Sequence, residues 1–63
     1  MDRWIEMVKY PNGNYGVGYA ERHSGKDWLH DITMGLDLAQ AIRESRIRER
    51  ISGLRTHDNN RYL

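Results

Sequence analysis

Near its start the chain carries Pro11-Asn12-Gly13-Asn14 between two segments rich in strand-forming residues. An Asn-Gly dipeptide in that setting is a strong hairpin signal, because both central positions of a two-residue type I′ loop require positive φ. Arg3 to Tyr10, with Trp4, Ile5, Val8 and Tyr10, suits the outgoing strand, and Tyr15 to Arg22 the returning one. With Asn12-Gly13 as the loop, Tyr10 pairs with Tyr15 and the register of every later pair follows. Trp4, Glu6, Val8 and Tyr10 then share a large aromatic face with Tyr15, Val17, Tyr19 and Glu21. Arg3, Ile5, Met7 and Lys9 share the other face with Gly16, Gly18, Ala20 and Arg22.

His23-Ser24-Gly25-Lys26-Asp27 reads as a second turn and Trp28 to Thr33 as a third strand. A helix follows, with Thr33 or Asp37 as its N-cap, a body from Leu38 to about Leu54, and Gly53 marking its end. Thr56 to Leu63, which contains Asp-Asn-Asn, reads as a flexible tail. The expected fold is α+β: a three-stranded antiparallel meander with one C-terminal helix, a single βββα domain over residues 1–55 and a tail over 56–63. A chain of 63 residues buries only about 60% of its unfolded surface. It has no Cys, so no disulfide or thiolate metal site can reinforce that core. Further stability would come from a partner or a second copy, and a homodimer is one expectation.

The helix carries two apolar stripes. At about 100° per residue, Leu38, Ala41, Ile42 and Ser45 share one side, and Ile47, Ile51 and Leu54 another. One straight helix cannot lay both on one sheet, so the second stripe either follows a bend or meets another surface. The alternation Gly16, Gly18, Ala20 also implies that something approaches that backbone closely, either the chain's own helix or an external partner. If the helix covers the glycines, the aromatic residues form an exposed platform instead of a core.

Net charge is +1, but it is unevenly placed. Residues 1–37 are acidic on balance, whereas residues 38–55 hold Arg43, Arg46, Arg48, Arg50 and Arg55 against Glu44 and Glu49. Arg43, Arg46 and Arg50 recur on one helix side at a spacing that suits phosphates, which guanidinium groups grip in pairs of hydrogen bonds. A solvated face is the plainer reading, with Glu44 and Arg48 forming an i,i+4 pair.

The order strand, Asn-Gly turn, strand, Gly-containing turn, strand, helix resembles a known family. It is similar to the three-strand-plus-helix DNA-binding domain of ethylene-response-type transcription factors and of the N-terminal arm-binding domains of phage tyrosine integrases. The residues that carry the resemblance are Gly13, Tyr15, Tyr19, Ser24-Gly25-Lys26 and Leu38-Ala39-Gln40-Ala41-Ile42. It spans roughly residues 4–45. It implies that Tyr15, Val17 and Tyr19 lie under the helix and that the opposite sheet face enters the major groove. On that face Arg3, Lys9 and Arg22 match the expected chemistry, whereas Asp27 and Asp31 oppose it.

No catalytic constellation is evident. Ser24, Ser45 and Ser52 have no base partner, and the Gly16/Gly18 pair lies in a strand, not at a phosphate-binding turn. His23, His30 and His57 fall in unrelated segments without metal-ligand spacing. The chain is expected to be non-enzymatic and to need no cofactor or metal. The absence of an apolar run of about 18 residues and of a signal-peptide pattern suggests a cytoplasmic protein with no membrane partner. The leading expectation is a small regulatory protein of phage or mobile-element style. It would bind nucleic acid, DNA foremost, through Arg43, Arg46 and Arg50 with help from Arg3, Lys9 and Arg22. The alternative is a protein-interaction module, a regulator or inhibitor of a host protein, acting through Ile47, Ile51 and Leu54 or through Gly16, Gly18 and Ala20.

Overall fold

The computed structural model describes residues 2–62, with side chains for residues 2–58. Its element order is β1 (Asp2–Lys9), β2 (Tyr15–His23), β3 (Lys26–Leu36), α1 (Leu38–Ser52) and β4 (Thr56–Tyr62). The architecture is α+β, with one helix against a mixed four-stranded sheet of order β3-β2-β1-β4. The expected antiparallel β1-β2-β3 meander is present. The segment expected as a tail is instead a fourth strand, parallel to β1, with Ile5 opposite Thr56 and Glu6 opposite His57. Leu63, the last residue of that expected tail, lies outside the described residues. Asp and Asn disfavour strands in isolation. Here the open edge of β1 offers unpaired backbone groups, and the Ile5 amide donates to the Arg55 carbonyl at 2.8 Å.

The second turn falls within the expected His23–Asp27 segment, whereas the first differs from the expected two-residue loop. The first is a three-residue loop: Tyr10 N–H donates to Asn14 O at 2.8 Å and Gly13 N–H to Tyr10 O at 2.9 Å. Pro11 takes the position a type I turn favours, and Gly13 supplies the left-handed residue with φ 89°. The two-residue loop with positive φ at both centres occurs at Ser24 (φ 50°) and Gly25 (φ 77°). The longer first loop shifts the register by one, so Lys9 pairs with Tyr15, Met7 with Val17, Ile5 with Tyr19 and Trp4 with Ala20. That slip exchanges the faces of β1 relative to β2.

The core follows from the corrected register. Ile5, Met7, Val17 and Ala41 form its buried centre, with Tyr15, Tyr19, Leu36 and Leu54 packed around it. Each large apolar side chain buried here contributes roughly 1.5–3 kcal/mol. Tyr15, Val17 and Tyr19 therefore lie on the helix side of the sheet. On the opposite side Trp4, Glu6, Val8, Gly16, Gly18 and Ala20 are also buried. β3 makes this possible. It carries two extra residues relative to β2, at register shifts flanking Thr33, with Asp31 at φ 53° and Gly35 at φ 73° nearby. Such bulges bend a strand and increase its twist. Ile32 thereby reaches across β2: a Cβ on Gly18 would sit 3.0 Å from Ile32 Cγ1 and 3.1 Å from the His30 carbonyl oxygen. A Cβ on Gly16 would sit 2.9 Å from Tyr10 Cε2.

The helix starts at Asp37, not Thr33, which lies within β3. Asp37 accepts from the Gln40 amide at 2.8 Å, and the Gln40 side chain accepts from the Asp37 amide at 3.0 Å, a reciprocal capping box. Gly53 ends the helix in the left-handed region, with φ 74°.

Candidate functional site

The helix turns its small and polar side inward. Ala41, Ser45 and Arg48 are its buried residues. Small side chains bring the helix close to the sheet, and the Ser45 hydroxyl is satisfied by donating to the Ile42 carbonyl at 2.8 Å. Arg48 lies over the Tyr19 ring, 4.9 Å from its centroid. It donates to the Asp31 carbonyl at 2.7 Å, to Thr33 Oγ1 at 2.8 Å and to Glu44 Oε2 at 2.9 Å. This arginine ties the helix to the bulged part of β3.

With that side inward, the isoleucines face out. Ile42 is 39% exposed, Ile47 48% and Ile51 75%. Together with Ala39, Arg43, Arg46 and Arg50 they line a depression of ≈ 430 Å³ on the outer surface of α1. The helical angles place the three arginines as a central row, with Ile42 on one flank and Ile47 and Ile51 on the other. Arg43, Arg46 and Arg50 make no ion pair among the described residues. The helix's own carboxylates are engaged elsewhere: Glu44 with Arg48, and Glu49 accepting from the Thr56 amide at 3.0 Å. The depression is thus cationic along its centre and apolar at its sides.

The other sequence-level candidates are placed differently. Leu54 lies beyond the helix end and packs on the core, so it does not continue the Ile47/Ile51 stripe. Gly16 and Gly18 are buried beneath β3 residues and Tyr10, and Ala20 is buried as well, so the three offer no surface to a partner. Arg3 pairs with Glu21 at 3.2 Å, and Arg22 with Asp27 at 2.7 Å. Lys9 lies over the Tyr15 ring, 5.8 Å from its centroid. None of these joins the helix row. The Glu21 carboxyl is held below its ordinary range, chiefly by its hydrogen bond to His23 and also by the Arg3 charge, against desolvation. The Arg22 guanidinium is held above its ordinary value by its hydrogen bond and charge contact with Asp27.

Ile42 and Ala39 belong to the depression, although Ile42 reads from sequence as part of the inward stripe. The small residues Ala41 and Ser45, one turn apart, were the signal for the inward side. On the far side of the sheet Trp4 stacks on His57, with centroids 5.3 Å apart, and donates its indole N–H to the fully buried Glu6 at 3.3 Å. Among the described residues no group of three or more His, Cys, Asp or Glu side chains is placed to hold a metal ion. No helix among them is long and apolar enough to cross a membrane. No known family model matches the chain, and neither a curated protein nor a solved structure matches it.

Proposed function

We propose that this chain is a small non-enzymatic docking module that binds another protein through the outer face of α1. The observation that carries the reading is the exposure of Ile42, Ile47 and Ile51 beside three arginines with no ion-pair partner among the described residues, all in one depression. A solvated face has no need of three β-branched apolar residues at this exposure, and a contiguous apolar surface rimmed by polar groups marks interaction sites. Interfaces also favour Arg, whose stem packs while its head makes directed bonds.

A photo-reactive side chain in place of Ile47, introduced in the native cell, tests this. Protein adducts are expected, and they should vanish when Ile51→Glu is added. Ile51 is exposed, so that change leaves the thermal midpoint unaltered within about 0.5 kcal/mol of stability. Adducts to nucleic acid, or none, would remove the protein-docking reading.

Nucleic-acid binding is the second reading, and Arg43, Arg46 and Arg50, which have no ion-pair partner among the described residues, favour it. It predicts duplex binding that weakens steeply with salt and is lost in Arg46→Glu. The engagement of Arg3 and Arg22 with carboxylates and the burial of the glycine face leave it the helix row and, apart from it, Lys9 over the Tyr15 ring.

A further inference from the structure

We infer that the partner segment is an acidic amphipathic helix, whose carboxylates lie along the Arg43/Arg46/Arg50 row and whose apolar residues cover Ile42 on one side and Ile47 and Ile51 on the other. This rests on the docking reading above and specifies what docks. Charge complementarity selects the occupant. The row is cationic and has no partner among the described residues, and its neighbours on the same helix, Glu44 and Glu49, are bound to Arg48 and to the Thr56 amide. An apolar helix alone would leave three guanidinium groups facing it without carboxylates, a desolvation cost with no return.

The geometry disfavours the other occupants. A second copy related by a two-fold axis across α1 would set Arg43 of one chain against Arg50 of the other, and like charges repel. An anionic bilayer takes helices whose apolar centre is flanked by basic residues; here the order is reversed, with arginines central and isoleucines at the flanks. A duplex offers phosphates for the row but only scattered thymine methyls and sugar carbons, no continuous apolar surface, for Ile42, Ile47 and Ile51. A helix supplies both. Its axial rise equals that of α1, so carboxylates three and four positions apart match arginines at 43, 46 and 50.

The test uses the full chain and a labelled helical peptide of about 18 residues. One version carries Glu on the matching row between Leu flanks, a second replaces every Glu by Gln, and a third by Lys. Fluorescence anisotropy should show the Glu peptide binding at least about tenfold tighter than the Gln peptide, with the ratio falling as salt rises. The triple change Arg43→Glu, Arg46→Glu, Arg50→Glu should transfer preference to the Lys peptide, and Ile51→Ser should weaken the Glu and Gln peptides alike. All four side chains are exposed, and circular dichroism checks that each variant keeps its fold.

Equal binding of the Glu and Gln peptides overturns the acidic partner while leaving protein docking intact. Failure of every peptide, or self-association that Ile51→Ser abolishes, overturns it as well. Binding only to duplex DNA or to phosphatidylserine vesicles overturns both the acidic helix and the docking reading.

Discussion

Arg48 shows how one side chain decides which way an element faces. It is the single charged residue that α1 buries, and its guanidinium is used in three directions, toward Glu44, the Asp31 carbonyl and Thr33, above the Tyr19 ring. A buried guanidinium is tolerated when its donors are all directed, and is costly to disturb because the acceptors remain behind. Arg48→Ala should lower stability by about 2–3 kcal/mol in urea denaturation, discounted because Glu44 is partly exposed. Arg48→Lys should recover only a minor part, since an ammonium cannot reproduce the planar fork. A Lys variant as stable as the parent would show that charge alone, and not the fork, fixes the helix. The sequence marks Arg48 as half of an i,i+4 pair with Glu44, which it is. Its contacts with Asp31 and Thr33 depend on the bulge and could not be read from spacing.

At the level of elements, β3 explains most of what was hidden. The identity of β1, β2 and β3, the helix span and its glycine stop are legible because propensity, capping and positive φ are local properties; β4 is not, because its Asp-Asn-Asn segment disfavours strand until the edge of β1 receives it. Register is not local. A single residue more in the first loop exchanges the faces of β1, and two bulged residues in β3 carry Ile32 over Gly16 and Gly18. The alternating glycines do signal close approach, but by the chain's own strand and not by the helix or a partner. The two positions should respond unequally to added methyl groups. Gly18→Ala meets a backbone carbonyl and should cost about 1–2 kcal/mol, whereas Gly16→Ala meets a tyrosine ring that can turn aside and should cost less than half of that. Thermal unfolding midpoints rank them, and the reverse ranking would sink the proposed path of β3. The candidate surface was half legible: the arginine row follows from helical spacing, but its apolar flank Ile42 was hidden until Arg48 and Ala41 oriented the helix.

Across the whole molecule, the sheet is completed by strands from opposite ends of the sequence. β4 covers the edge of β1 and brings His57 onto Trp4. A chain ending at Arg55 should therefore lose cooperative unfolding, with Trp4 fluorescence moving toward that of exposed indole; retention of a sharp transition would show β4 to be dispensable. The same seam has a temporal meaning. Hairpin contacts close short loops and form early, whereas Ile5 must find Thr56 across nearly the full contour of the chain. Refolding should separate into a fast arrival of the meander and a later zipping of its last edge. In the native ensemble that edge is where transient opening begins, so amides of β4 should exchange with solvent sooner than those shared by β1 and β2.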